Sequence, residues 1–165
     1  MYNKQHLPMR GVGPFYVAVC MIMTAVCILL ERRQVLIAGD ISQWSGLMIV
    51  LGCILVIGGI GMWAAAILQA KIDKHILNNQ LVTAGIYAWV RNPIYVAFNF
   101  IFTGIIFLFS NLFLLILPLI FWALLTVLMK HTEERWLLAL YGEAYVHYCK
   151  NVNRCIPWWP KHRFH

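Results

Sequence analysis

Apolar residues run in four long blocks along this chain, and polar residues gather in two islands. The blocks are Phe15–Leu30, with Gly11 as an earlier start, then Ser45–Leu68, Ile94–Phe109 and Leu112–Met129. A helix needs about 20 apolar residues to cross ~30 Å of hydrocarbon, so the blocks read as four transmembrane helices, the first only just long enough. Only Ser110-Asn111 separates the third from the fourth. That gap is too tight for an extramembrane domain, so the last two read as one helical hairpin. Pro118 removes a backbone donor and crowds the preceding turn, which predicts a kink in the fourth span.

The first island runs from Leu81 to Tyr95, Leu-Val-Thr-Ala-Gly-Ile-Tyr-Ala-Trp-Val-Arg-Asn-Pro-Ile-Tyr. The second opens on Glu133-Glu134 and continues through Tyr141-Gly142-Glu143-Ala144-Tyr145. A hairpin between them returns both to one membrane face. Leu137, Leu140, Tyr141, Ala144 and Tyr148 fall on one apolar stripe, which predicts a helix over Glu133–Lys150, weakened at Gly142. The expected fold is all-α: a polytopic bundle of about four membrane helices, plus a C-terminal cytosolic or interfacial helix. No repeat or low-complexity linker divides the chain, so residues 1–165 read as one membrane-embedded domain.

Composition agrees with the pattern. The chain has 165 residues, 62% hydrophobic and 12% charged, with a mean hydropathy of +0.74. Soluble domains carry about twice that charged fraction. The net charge of +7 is explained by the positive-inside rule rather than by nucleic acid. With the N-terminus inside, the inner segments hold Lys4, Arg10, Lys71, Lys74, Arg91, Lys130, Arg135, Lys150, Arg154, Lys161 and Arg163; the outer loops hold only Arg32 and Arg33. Both termini and both islands are then cytosolic. The tail from Ile156 to Arg163 mixes indoles with cations, which suits a headgroup region. Cys20, Cys27 and Cys53 lie in apolar runs, and Cys149 and Cys155 in the basic C-terminal region, where a reducing compartment disfavours a disulfide. No cleavable leader is evident, because Gly11–Leu30 lacks a small-residue cleavage site.

Several local patterns carry little chemistry. Gly59-Ile60-Gly61-Met62-Trp63-Ala64 matches a dinucleotide fingerprint but sits within a span, with no strand before it. Its plain reading is close helix packing through a small-residue face of Gly58, Gly61 and Ala65. The six histidines all lie in loops or the tail, not within helices where membrane haem ligands would be wanted. No span carries a central charge of the kind an ion pathway needs, and no Cys-x-x-Cys supports a metal site. Glu133-Glu134 could simply favour a helix N-terminus, Arg91 could anchor the inner face, and Pro93 could open a helix. Their gathering on one membrane face is what singles them out.

Together these residues carry a pattern. Leu81-Val82-Thr83, Gly85, Tyr87, Arg91-Asn92-Pro93, Tyr95, an apolar hairpin, Glu133-Glu134, then Gly142-Glu143, Tyr145, Tyr148 and Ile156-Pro157 resemble the isoprenylcysteine carboxyl methyltransferase family, to which the phospholipid N-methyltransferases are related. The resemblance covers Leu81 to Pro157. It implies methyl transfer from S-adenosylmethionine, leaving S-adenosylhomocysteine, in a site formed by residues 81–95 and 130–157. It further implies that Leu81 and Val82 lie along the cofactor through their backbone. Gly85 belongs to the same segment; Tyr87, Asn92, Pro93 and Tyr95 line the pocket, and Glu133 contacts the cofactor. Arg91, Asn92 and Glu134 are the positions it places with the chemistry, Arg91 and Glu134 as supporting members.

Three positions depart from the eukaryotic members, the first being Ala97, where they have Gly. Asn92 stands where they have His, and Asn cannot act as a general base. Met129, with Lys130 beside it, stands where they have an arginine associated with substrate. The short chain and Asn92 look more like prokaryotic members, which implies an inner membrane. The expected acceptor is lipid-like or hydrophobic, entering from the bilayer while the cofactor enters from the cytosol. The alternative is a non-catalytic relative that binds a lipid or a partner subunit.

Overall fold

A computed structural model describes residues 12–72 and 81–159. The expected inside cations Lys4, Arg10, Lys74, Lys161 and Arg163 lie outside the described residues, as does the side chain of Lys71. The described residues form six α-helices and short 3₁₀ turns: α1 Gly13–Arg32, α2 Ser45–Ile72, α3 Pro93–Phe107, α4 Leu117–His131, α5 Glu133–Tyr141 and α6 Glu143–Asn151.

Among the described residues, three stretches are long and apolar enough to cross a membrane: Gly13–Arg32, Ser42–Gln69 and Leu112–Tyr141. The third expected span is shorter. Pro93 opens α3, since its ring fixes φ and biases the residue before it away from helix, and Asn92 is correspondingly non-helical at φ −123, ψ 63. The helix ends at Phe107 after 15 residues, about 22 Å of rise. The turn that follows places Ser110 at positive φ. The Asn111 side chain then caps a 3₁₀ turn over Leu112–Ile116 by accepting from Phe113 N at 3.0 Å. Pro118 lies in the first turn of α4. It therefore opens that helix rather than kinking it, because its missing N–H is one that the first turn leaves unpaired anyway.

The end opposite the two islands is stitched across loops. Ile41 N donates to Ser110 O at 2.9 Å, and Asn111 Nδ2 donates to Leu36 O at 2.9 Å. Between the two ends, α1, α3 and α4 share a core of Tyr16, Cys20, Phe102, Ile106, Phe121 and Leu125. The outward faces stay apolar, as with Ile54, Ile57 and Leu119, which suits lipid contact.

In lipid there is little hydrophobic gain from bringing helices together, so close packing of small residues takes over. The small-residue face of α2 differs from the expected one. A Cβ added at Gly58 or Gly61 would meet nothing within 4 Å. A Cβ at Gly52 would lie 2.8 Å from Gly104 O, and one at Gly59 2.8 Å from Ala97 O. Gly52, Gly59 and the fully buried Ala66 repeat every seven residues and so keep one face toward α3.

The expected single helix over Glu133–Lys150 is two. Gly142 breaks it at φ 54, ψ −128, a conformation open in practice to glycine. The break turns α6 so that Tyr145, Tyr148 and Val152 form a small cluster of their own, with Leu81 and Leu137 packed against it.

Candidate functional site

The site lies where the N-termini of α1, α3 and α5 converge on the tail. Glu133 begins α5 after Thr132, whose hydroxyl donates back to Leu128 O at 2.5 Å and whose non-helical backbone turns the chain out of α4. Glu133 Oε1 accepts from Val12 N at 3.1 Å and from Tyr95 Oη at 2.5 Å. The start of α1 thus docks on a carboxylate, as unpaired helix N–H groups favour. Gly13 makes this possible: a Cβ there would lie 2.5 Å from Tyr95 Cε1. Tyr16 meets Tyr95 edge-on, with ring centroids 6.2 Å apart.

Glu134 does different work. Arg154 forks onto it, Nε to Oε1 at 2.6 Å and Nη2 to Oε2 at 2.8 Å, and Arg91 Nη1 lies 3.1 Å from Oε1. The hydrogen bond to Glu134 pushes the Arg154 pKa up. Arg91 also reaches Cys149 Sγ. The two islands are sewn together along this seam. Arg91 N donates to Asn153 O at 2.9 Å and Trp158 N to Trp89 O at 3.0 Å. Asn92 Nδ2 donates to Arg154 O at 3.1 Å, and Tyr148 Oη to Tyr87 O at 2.6 Å. Burial raises the Tyr148 pKa, so the phenol stays a neutral donor.

Beside the seam a groove of about 700 Å³ runs between α1 and α3. Its polar end is lined by Tyr87, Arg91, Asn92, Tyr95 and Glu133, with Pro93 and Leu137 beside them. Its other walls are apolar, with Val17, Ala18 and Met21 from α1 and Ile94 and Phe98 from α3. The structure therefore brings together Tyr87, Arg91, Asn92, Pro93, Tyr95 and Glu133. Leu81, Val82, Gly85 and Glu134 do not line this groove. Leu81 packs with Tyr145 and Tyr148. Gly85 sits at φ +60 against the Gln69 side chain, which donates to Ala84 O at 2.8 Å and accepts from Ile86 N at 3.0 Å. Glu134 is taken up by the two arginines.

Sequence reasoning missed the α1 wall and Arg154. Arg154 counted only as an inner-face cation, and its acid partner is 20 residues away. Val12 bonds across 121 residues. Neither distance leaves a local signal.

Both hydrogen bonds to Glu133 fall on Oε1, which leaves Oε2 uncommitted among the described residues. A carboxylate held so, at the polar end of an apolar groove, fits a small cation bearing N–H donors, and the flanking tyrosine rings add faces that attract cations.

Comparison with known proteins adds a family. The sequence pattern of the phospholipid methyltransferase family matches residues 35–144, about two thirds of the chain. A protein-S-isoprenylcysteine O-methyltransferase of Schizosaccharomyces pombe is 38% identical over 86 residues, covering 52% of this chain and 36% of that protein. The chain thus aligns with little more than a third of that relative's length. No solved structure matches it.

Proposed function

The chain belongs to the phospholipid methyltransferase family, and from that premise we propose that it transfers a methyl group from S-adenosylmethionine to a lipid-like acceptor at the cytosolic edge of the membrane. The observation that carries this reading is the groove itself. One end offers a positioned carboxylate and two tyrosines, and the remainder is apolar and framed by two membrane helices. S-Adenosylmethionine supplies an activated methyl on a sulfonium, together with an ammonium and a carboxylate.

Glu133 would hold the ammonium through Oε2, with Val12 N and Tyr95 Oη fixing the carboxylate from behind. Tyr87 and Tyr95 would border the sulfonium. Pro93 starts α3 and sets the approach of Asn92. Asn92 Nδ2 donates to Arg154 O, which ties Asn92 to the tail, and a neutral amide takes no proton. Arg91 and Glu134 likewise act as positioning residues, since the Arg91 head group reaches Glu134 and Cys149, neither of which lines the groove. Leu81 and Val82 lie outside the groove, so the cofactor would meet their backbone only where it extends beyond it. In-line displacement on an activated donor needs alignment above all. A base is needed only where the acceptor keeps its proton, and an acceptor already ionised at neutral pH would need none.

The α1–α3 groove favours an acceptor with an apolar body. Met129 is fully buried in the core and Lys130 is exposed, so this chain offers no inward cation there to meet a prenylcysteine carboxylate. The charge bias supports a cytosolic site, with Arg91, Arg135, Lys150 and Arg154 all at the site's end of the molecule; a prokaryotic inner membrane is the proposed location.

The test is calorimetric binding of S-adenosylmethionine and S-adenosylhomocysteine to detergent-purified protein. Saturable binding is expected, weakened roughly tenfold or more in Glu133→Gln by loss of a charge-assisted bond. Unchanged affinity in that variant would remove Glu133 from the site. No binding to a folded protein would favour a non-catalytic lipid or subunit binder. Methylation of water-soluble acceptors alone would overturn the lipid-like acceptor.

A further inference from the structure

A second cavity of about 300 Å³ shares only Arg91 with the groove. The tail residues Asn153, Arg154 and Ile156 form one side of it, and Trp122 and Thr126 of α4 the other. Its charge does not balance. Two guanidiniums, Arg91 and Arg154, meet one carboxylate, Glu134, whose oxygens are already occupied by the Arg154 fork and by Arg91. The cysteines that also border the cavity, Cys149 and Cys155, are free thiols, and burial pushes the Cys155 thiol up, so that one adds no negative charge. Arg91 has only 8% of its side chain exposed, and its Nε is buried with no partner among the described residues. A buried donor left unpaired is costly, the more so when charged. The Arg91 head group lies on this cavity's side, because its contact Cys149 lines the cavity and its counterion Glu134 is forked by Arg154, which also lines it.

The cavity also has a direction. Trp122 lies one helical turn before Thr126 on α4, on the same face, and therefore farther from the acid pair that follows the helix. Trp122 and Ile156 are each about half exposed at the surface. The lining thus passes from two guanidiniums, through a hydroxyl, to an indole and an aliphatic chain at the lipid side. That is the polarity order of an amphiphile with an anionic head. Guanidinium groups suit phosphate geometry, and the described residues that line the cavity include no carboxylate to receive a headgroup cation.

We infer that the cavity between the tail and α4 binds the phosphate of an anionic phospholipid, with Arg91 and Arg154 on the phosphate and Trp122 along the acyl chains. The site is separate from the proposed methyl transfer and does not depend on it. Filling it would complete the charge balance of the seam that joins the two islands.

The experiment measures the melting temperature of the detergent-purified full chain against phosphatidylglycerol, phosphatidylcholine and inorganic phosphate, and counts bound lipid by native mass spectrometry. A saturable rise with one phosphatidylglycerol bound, and little with the other two, is expected. Asn153→Asp and Thr126→Glu each place a carboxylate in the cavity and should weaken that binding roughly tenfold. Asn153→Asp is close to isosteric, so it keeps the test alive if Thr126→Glu does not fold. Lys150→Gln removes one exposed positive charge elsewhere and should leave the shift intact. Equal loss in Lys150→Gln would reduce the effect to bulk charge and overturn the site. Equal shifts with phosphatidylcholine would overturn the preference for an anion, and a shift with inorganic phosphate but not with lipid would overturn the lipid source.

Discussion

The contact between α2 and α3 and the seam between residues 87–92 and 148–158 are held by different physics. In the first, Gly52, Gly59 and Gly104 meet backbone and aliphatic side chains at close range. In the second, two arginines, a glutamate, an asparagine and a tyrosine bind main-chain and side-chain partners. The difference follows the solvent. Helices in lipid gain from tight van der Waals approach, whereas the edge of the membrane lets charge be held at tolerable desolvation cost. The first contact should therefore respond to volume and not to charge, and the second to charge and not to volume.

The sharpest way to break this contrast is Gly104→Val. A single Cβ there would lie 2.6 Å from Gly52 O and 3.0 Å from Val56 N. Backbone cannot swing aside as a side chain does, so α3 must move off α2. A loss of about 3 kcal/mol or more is expected from overpacking of this kind, read as a large drop in melting temperature or loss of the monodisperse protein. Near-normal stability would show that α2 is not seated as described.

Next comes Glu134→Gln. The change is nearly isosteric but leaves Arg91 and Arg154 without a counterion. Removing one partner of a fully buried pair costs about 3–5 kcal/mol, and the 26% exposure of the Arg154 side chain brings the expected loss to about 2 kcal/mol. Glu133→Gln should differ from it, losing cofactor affinity with a smaller loss of stability. If the two variants behave alike, the division of labour between the adjacent acids is wrong.

The apolar helices were legible because run length and apolarity are local properties, and so was the start of α3, since Pro93 marks it. The choice of packing face was not. Between Gly46 and Ala66, α2 offers Gly52, Gly58, Gly59, Gly61, Ala64 and Ala65, and only the position of Gly104 on another helix selects among them. That Glu133, Tyr95 and Tyr87 share one membrane face was legible through topology, and their gathering in one pocket through the family resemblance. Their support was not: Val12, Arg154 and Gln69 act across the chain, and the stripe through Leu137, Tyr141, Ala144 and Tyr148 ran past a break that a single glycine conformation imposes.

That break gives a smaller prediction. Gly142 has φ +54, and a Cβ there would meet nothing within 4 Å. Gly142→Ala should thus cost only backbone strain, about 1–2 kcal/mol, concentrated in α6. Faster hydrogen exchange over residues 143–151, with α2 and α3 unchanged, would show that the seam loosens independently of the membrane helices. Uniform loosening would mean that the two regions fold as one unit.

The smallest expected effect tests the volume rule most cleanly. Gly58 and Gly59 are neighbours on α2, and Gly→Ala makes the same chemical change at each. At Gly59 the new methyl would lie 2.8 Å from Ala97 O and Ile101 Cγ1, so the helices must part. At Gly58 it would meet open space, and Ala favours a helix over Gly by about 1 kcal/mol. Gly58→Ala should leave the melting temperature unchanged or slightly raised, while Gly59→Ala lowers it. Intrinsic helix propensity cancels between the two, so a difference of that sign reports only which face of α2 meets α3.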